Sequence, residues 1–404
     1  MLSFLRKRRG SDASDATDQF QSTKPKSRRP PNTAFRQQRL KSWQPILTPK
    51  SVLPLLLIIA IIFSPLGIAI LLVTLDVQDF VVDYSQCLSL ANADSYTDIP
   101  AKYLTSHLKG KSESSPQWKL DGDNICQIKF DVAEDIKGPL YMFYKLTNFY
   151  QNHREYVNSY DLSQLQGVAV KAEDLSSDCS PLRTDSEGKI IYPCGLIANS
   201  MFNDTFTTPK PTDGTDASVV LTDKDISWSV DRNKFKKTSY EAKDIVPPPN
   251  WYDKYPDGYT DDNMPDISTW YEFQVWMRTA GLPEFYKMAL KNDSSKQTLT
   301  KGTYYIDITS QFPVSIFGGT KSVVLTTSSK LGGRNLSLGI CFLVVAGFAV
   351  LFAAIFLIKY VVQPRKLGDH SYLNFDQRAG GASAGDHVDR DDSLGTIANR
   401  REIL

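Results

Sequence analysis

Two apolar runs interrupt an otherwise mixed chain. From Ser51 to Leu75 there are 25 consecutive residues without a charge, and from Asn335 to Ile358 there are another 24. At ~1.5 Å rise per residue, each reaches roughly 36 Å as a helix, enough to cross a ~30 Å hydrocarbon core with tilt. A surface helix of that length would carry charges along its wet side. Both runs therefore predict membrane spans. The first is not a cleavable signal peptide, because its apolar region is too long and a 50-residue segment precedes it.

The 259 residues between the runs have a different pattern. Cys126, Ile128, Phe130 and Val132 alternate with Gln127, Lys129 and Asp131, a period of two that predicts a strand. A Lys137-Gly138-Pro139 turn and the aromatic run Leu140–Asn148 follow, so the pair predicts a hairpin. Further strands are expected at Ser218–Thr222, Ile226–Val230, Thr303–Thr309, Val314–Phe317 and Ser322–Thr327. A helix is expected over Thr269–Arg278, opened by a Thr269-x-x-Glu272 capping box and carrying Trp270, Phe273 and Trp276 three residues apart. A second short helix is expected after Pro283. The fold class is thus a two-span transmembrane α-helical protein with a large, mainly antiparallel-β (α+β) domain between the spans.

Charge sharpens this picture. The total of +1 over 404 residues argues against a nucleic-acid partner. It conceals a strong asymmetry. Residues 1–50 carry 12 Lys/Arg against 3 Asp/Glu, residues 76–334 carry 27 against 35, and residues 359–404 balance at 7 against 7. By the positive-inside rule the basic first segment is cytosolic. Lys359, Arg365 and Lys366 after the second run agree. The expected domains are a cytosolic tail (1–50), a first span (51–75), a luminal domain (76–334), a second span (335–358) and a largely disordered cytosolic tail (359–404).

Neither span contains an ionisable residue, which weighs against a self-sufficient transporter or pump. Small residues do line one face of each: Ala60, Ser64 and Gly67 in the first, Ala346, Ala349 and Ala353 in the second. Such stripes let helix backbones approach closely, either within the chain or against a partner. In the first tail, Arg36, Arg39, Lys41 and Trp43 combine charge with an aromatic ring just before the membrane. This suits anionic lipid or a docking surface on a protein.

Of five cysteines, Cys341 lies within the second span. Cys87, Cys126, Cys179 and Cys194 would face an oxidising compartment and form two disulfides. Three pairings are open, and pairing of sequence neighbours is favoured. Sequons occur at Asn203, Asn292 and Asn335. Asn335 abuts the second span, so Asn203 and Asn292 are the expected glycosylation sites.

Catalytic look-alikes lack their context. Gly381-Ala-Ser383-Ala-Gly385 resembles a nucleophile elbow but has no strand and helix around it. Asp121-Gly-Asp123 and Asp223-Lys-Asp225 resemble a metal–nucleotide motif without an α/β setting. Phe317-Gly-Gly-Thr-Lys-Ser322 lacks the Gly-Lys-Ser/Thr order of a phosphate loop. No Asp-Lys-Thr-Gly phosphorylation motif is present. No catalytic residue, metal site or cofactor is expected. Trp270, Trp276 and Arg278 are read as aromatic core with an arginine at a helix end, in preference to an exposed recognition patch.

Longer motifs carry a resemblance. They are Asn32-Thr-Ala-Phe-Arg-Gln-Gln-Arg-Leu40, Leu146-Thr-Asn-Phe-Tyr-Gln-Asn-His-Arg154, Tyr192-Pro-Cys-Gly-Leu-Ile-Ala-Asn-Ser-Met-Phe-Asn-Asp-Thr-Phe206, Val275-Trp-Met-Arg-Thr-Ala280 and Phe317-Gly-Gly-Thr-Lys-Ser322. With Ile245-Val-Pro-Pro-Pro-Asn-Trp251, Gly368-Asp-His-Ser-Tyr-Leu-Asn-Phe375 and the terminal Arg-Glu-Ile-Leu404, the chain resembles the fungal branch of the cell division control protein fifty family over residues 28–376. That resemblance implies a non-catalytic β-subunit and chaperone of a type IV P-type ATPase. Such a subunit forms a one-to-one heterodimer with the catalytic chain. It supports that chain's exit from the endoplasmic reticulum and its phosphoenzyme cycle. The complex moves the membrane phospholipids phosphatidylserine and phosphatidylethanolamine to the cytosolic leaflet in the trans-Golgi network and endosomes. The rivals are a two-span ligand-gated channel subunit and a luminal transferase. The low cysteine count and apolar spans disfavour the channel, and weak motifs disfavour the transferase.

Overall fold

The computed structural model describes residues 32–40, 48–122, 124–216, 219–329 and 331–363, and the counts below are of those residues. Leu55–Ile355 form one compact unit, and the flanking segments up to Pro54 and from Phe356 form a second. In the second unit, residues 34–38 make a single exposed turn. The backbone N–H of Gln37 donates to Thr33 O at 2.9 Å and that of Arg39 to Ala34 O at 2.7 Å.

The two apolar runs are helices, α1 (Pro49–Leu75) and, at the far end of the chain, Ser337–Val362. In their most apolar windows only 11% and 17% of residues are buried within the chain. A soluble core helix would be mostly covered, so these are membrane spans.

Eleven strands build a sandwich of two antiparallel sheets. In chain order they are β1 (Asp79–Asp83), β2 (Thr97–Asp98), β3 (Leu104–Ser106), β4 (Gln117–Leu120), β5 (Ile125–Val132), β6 (Leu140–Leu146), β7 (Thr205–Phe206), β8 (Lys210–Pro211), β9 (Phe285–Asn292), β10 (Gly302–Thr309) and β11 (Lys321–Thr327). The first sheet has the order β9-β6-β11-β1-β3, and the second β8-β10-β5-β4-β2 with β7 also on β10. Their inner faces share one core. Cys126, Ile128, Phe130 and Val132 from β5 meet Phe80 and Val82, Leu140 and Met142, and Val323 and Leu325. The rings of Phe80 and Phe130 stack across the gap at 4.6 Å. Each such side chain contributes roughly 1.5–3 kcal/mol by burial. Disulfides join Cys87 to Cys126 and Cys179 to Cys194, the sequence-neighbour pairing.

The predicted hairpin does not form. β5 pairs with β4 and β10, and β6 pairs with β9 and β11, so the two strands face each other from opposite sheets. Alternation reveals which face of a strand is buried and is silent on its neighbour. Four other expectations also change. Ser218–Thr222 is no strand where described: Thr222 makes only an isolated bridge to Lys291. Ile226–Val230 gives a turn and the start of a short helix, with Trp228 and Val230 exposed. Val314–Phe317 is a 3-10 turn, stopped by Gly318 in the left-handed region at φ 63. The segment after Pro283 is strand β9. Its inward positions are Phe285, Lys287 and Ala289, and the lysine hides the period of two.

Helix α2 (Tyr271–Met277) begins one residue later than the capping box predicts. Thr269 Oγ1 donates back to Asp266 O at 3.3 Å, and Glu272 accepts from Trp270 Nε1, so no side chain caps the helix start. Phe273 and Trp276 are fully buried. The other end is capped from β9. Lys287 Nζ donates to Val275 O and Trp276 O, both at 2.9 Å, and to Arg278 O at 2.5 Å. These are orphan carbonyls of the last helical turn. Among the described residues no carboxylate reaches Lys287, so burial, aided by the Arg278 charge, pulls its pKa down to about 7.

The spans enter the sandwich at its centre. β1 follows α1 closely, β11 precedes the last helix, α3 (Ser337–Val362), and the two strands pair from Asp79↔Thr326 to Asp83↔Ser322. Arg334 closes the junction. Its guanidinium donates to Leu75 O at 3.2 Å and Val77 O at 3.1 Å, covering carbonyls at the C-terminal end of α1.

Candidate partner-binding surface

The four longer motifs between the spans are far apart in sequence and meet in space. At the end of the first sheet furthest from the spans, β11 begins at Lys321, opposite Leu146 where β6 ends. The chain leaving β6 places Phe149 at the centre of an aromatic cluster. Its ring lies 5.2–6.3 Å from those of Tyr156, Trp276, Phe285, Phe312 and Phe317. Pairs at such separations each add about 0.5–1.5 kcal/mol beyond burial.

Polar side chains of the motifs stitch the loops together. Gln151, fully buried, accepts from the Ala280 N–H at 2.9 Å. Tyr156 and Ser200 share a hydrogen bond of 2.7 Å, and Trp276 Nε1 donates to Ile197 O at 2.8 Å. Thr147 and Thr320 share one of 2.8 Å, and Asn148 Nδ2 donates to Phe317 O at 2.5 Å. Gly319 is required by this approach, since an added Cβ would stand 2.3 Å from Thr147 O.

A buried carboxylate locks the cluster to the core. Asp204 Oδ1 accepts the backbone N–H groups of Gln311 and Phe312, both at 2.6 Å. Its Oδ2 accepts Tyr84 OH at 2.8 Å and faces Lys321 Nζ at 2.7 Å. Lys321 also donates to Phe312 O at 2.8 Å. Burial lowers the Lys321 pKa while Asp204 opposes the fall, and burial raises that of the Tyr84 phenol. The phosphate-loop resemblance ends here. Lys321 is committed to Asp204, and the Thr320 and Lys321 N–H groups donate to Thr147 Oγ1 and Ser85 Oγ.

Three large apolar side chains stand outward among exposed polar ones such as His153, Arg154 and Ser315. Tyr150, Leu282 and Ile316, one from each of three loops of the cluster, are 57%, 69% and 81% exposed. These loops are tied by the Phe149 N–H donating to Pro283 O at 3.1 Å and by Asn152 Nδ2 donating to Gly281 O at 3.2 Å. An apolar rim held by a rigid polar frame suits a protein partner. Trp276 is core, as the sequence reading favours, whereas Arg278 stacks 4.6 Å over the exposed ring of Trp228 and pairs with Asp231 at 3.0 Å.

The remaining candidates fall elsewhere. Gly67, Ala60, Ala346, Ala349 and Ala353 are buried and Ser64 half-buried. The two spans pack together there: a Cβ on Gly67 would meet Leu343 at 2.9 Å, and one on Gly339 would meet Leu71 at 2.6 Å. Close contact within the chain thus uses part of the small-residue faces. Arg36 and Arg39 are exposed, with the Arg39 guanidinium on Asn32 Oδ1. Lys41, Trp43, Asp123 and Gly381–Gly385 lie outside the described residues. Asn203 is exposed ahead of β7. Asn292 ends β9 and spends its amide on Val220 O at 2.7 Å and on Gln297. Asn335 is exposed, its side-chain oxygen accepting from Ser337 N–H.

Sequence reasoning missed Asp204, Lys321, Lys287 and Arg334 as structural centres. A charge amid apolar neighbours was the available signal, as in Met201-Phe-Asn-Asp-Thr-Phe206.

Comparison with known proteins agrees with the architecture. The chain is 52% identical over 356 residues to the phospholipid-transporting ATPase accessory subunit CRF1 of Saccharomyces cerevisiae, covering 87% of this chain and 90% of that protein. It is 39% identical over 397 residues to the phospholipid-transporting ATPase accessory subunit CDC50 of Chaetomium thermophilum, covering 92% and 97%. To the cell cycle control protein 50A of Mus musculus it is 37% identical over 350 residues, covering 82% and 89%. Residues 70–366 match the family described as LEM3 (ligand-effect modulator 3) family / CDC50 family. A two-span sandwich protein carrying these motifs throughout, the chain belongs to the LEM3/CDC50 family.

Proposed function

We propose that this chain is the non-catalytic accessory subunit and chaperone of a phospholipid-transporting P-type ATPase, bound one-to-one to the catalytic chain. One observation carries the reading: the motifs between the spans assemble into a frame held by buried polar contacts, such as Gln151 with Ala280 and Asp204 with Lys321, and its outer rim exposes the large apolar side chains of Tyr150, Leu282 and Ile316. The names of the relatives, phospholipid-transporting ATPase accessory subunits, point to the same partner.

Such a subunit acts on the transport cycle by binding some conformations of its partner more tightly than others, since equal binding shifts nothing. Its rigid frame suits that role. Both termini are cytosolic and residues 76–334 luminal, as the charge asymmetry argues. The complex assembles in the endoplasmic reticulum and works in the trans-Golgi network and endosomes. There it moves aminophospholipid to the cytosolic leaflet in support of vesicle traffic. Arg36, Arg39, Lys41 and Trp43 form a cytosolic docking segment. The small-residue faces not used between the spans complete the membrane contact.

Purification of the tagged full-length chain in mild detergent tests the reading. The expected result is a P-type ATPase in one-to-one ratio, whose lipid-stimulated turnover falls when the chain is removed. A homotrimer that conducts ions would overturn it.

A further inference from the structure

A cavity of about 330 Å³ opens beside the sequon at Asn203. That is the low end of the roughly 300–1,000 Å³ range of ligand pockets, the size for a single sugar ring rather than a lipid. Two indole rings line it at 5.3 Å from each other in an edge-on arrangement: Trp251, which is largely buried, and Trp270, which stacks on Phe273 at 5.5 Å and carries Lys254 Nζ 4.3 Å over its ring, so that a sugar packs on it by displacing the flexible lysine chain. Asn250, Lys254 and Glu272 add an amide, an amine and a carboxylate. Flat aromatic faces beside a few polar groups are the chemistry that holds a pyranose. The ring's C–H face packs on the indole, and its hydroxyls and N-acetyl group find donors and acceptors.

Asn203 itself lines this cavity. Its backbone is fixed there by the next residue, because Asp204 is anchored to Tyr84, Lys321 and the Gln311 and Phe312 amides. Its own side chain is exposed and makes no hydrogen bond among the described residues. At Asn292, by contrast, the amide nitrogen is bonded within the fold.

We propose that the cavity seats the first N-acetylglucosamine of an N-linked glycan on Asn203, making that sugar an internal part of the fold. The inference rests on the luminal placement of residues 76–334 proposed above. In the attachment step Asn203 Nδ2 bonds to C1 of the sugar. The polyprenyl diphosphate of the lipid-linked donor leaves with the bonding pair, and the amide loses one proton. The glycan attached beyond the first sugar projects outward from the cavity mouth.

The test uses the full-length chain in complex with its ATPase, made in a glycosylating eukaryotic host. A peptide-N-glycosidase cuts the bond between asparagine and the first sugar, and site-resolved mass spectrometry follows each sequon. A seated sugar must leave the cavity before it is cut, so release at Asn203 is expected to be at least about tenfold slower in native than in denatured protein. Trp270→Ala should restore fast release while Trp270→Phe, which keeps an aromatic face, should not. Native release as fast as denatured release would overturn the proposal. So would an empty Asn203 in a chain glycosylated elsewhere, or unchanged protection in a Trp270→Ala protein that melts normally. No glycan on any of the three asparagines would instead refute the luminal placement.

Discussion

Asp204→Ala is the most informative single change. The carboxylate is fully enclosed and Lys321 is 4% exposed, so their ion pair has almost no solvent to fall back on. Removing it strands a buried ammonium with one remaining acceptor, Phe312 O, and leaves the Tyr84 hydroxyl and two backbone N–H groups without partners. Breaking a buried pair by deleting one partner costs about 3–5 kcal/mol. Whole-domain stabilities are about 5–15 kcal/mol, so roughly a fifth or more of the total is at stake. At about 2–4 °C per kcal/mol for a domain of this size, the midpoint should fall by roughly 6–20 °C. Thermal unfolding of the full-length protein in detergent, followed by near-ultraviolet dichroism, reads this directly. Asp204→Ala keeps the Asn203-x-Thr205 sequon, so glycosylation does not confound the comparison. Asp204→Leu with Lys321→Met removes both charges and should recover much of the loss, as apolar replacements of buried pairs do. A fall below about 2 °C for Asp204→Ala, or a double variant no better than the single, would refute the argument that the pair holds the loops to the core.

Other outcomes follow from the same geometry. Lys287 is held in the fold near a pKa of about 7 against 10.5 when unfolded, so the unfolded state carries more protons between those values. Stability should therefore rise with pH above about 7, by up to about 1.4 kcal/mol per unit, and be flat below it. Lys287→Met should reduce that slope in denaturant titrations at pH 7 to 9, leaving what Lys321 and Lys254, also lowered by burial, contribute. Gly319→Ala forces a Cβ against Thr147 O and should cost about 1–3 kcal/mol, whereas Gly318→Ala has room and meets only left-handed strain of about 1–2 kcal/mol. Melting curves of the two variants should rank in that order. Tyr150→Ser, Leu282→Ser and Ile316→Ser together should leave the melting curve in place and reduce co-purified ATPase severalfold. Full recovery of the complex would remove this rim from the interface.

The pattern of apolar positions marks the spans and several strands clearly, because each announces itself through one physical period. It gave β5 and β6 their buried faces but not their neighbours, since the pleat fixes direction and leaves pairing to distant segments. It lost β9 to one residue. Lys287 points inward to serve the carbonyls of α2, and an inward lysine breaks the pattern that would have revealed the strand. The motifs around Phe149 were readable one by one. Their assembly was not, because hydrogen bonds such as Gln151 to Ala280 join residues 129 apart and local propensity has no access to such distances. Trp276 and Arg278 show both sides: the indole's burial follows from helical spacing, while the stacking of Arg278 on Trp228 depends on a turn mistaken for a strand.

The place of β11 in the first sheet also sets a timetable. It is the last strand made, yet it lies between β6 and β1, so until it arrives β1 and β6 have no common neighbour. Gln78 waits for Thr327, 249 residues downstream, before the base of the sheet can close. Asp204, already 120 residues past Tyr84, waits in turn for Lys321 to neutralise it. A ribosome that stops short of β11 therefore leaves an open sheet edge and a charged, unfinished core. Completion of the fold reports that synthesis has passed β11, and a partner that docks only on the finished rim would accept only copies that carry it.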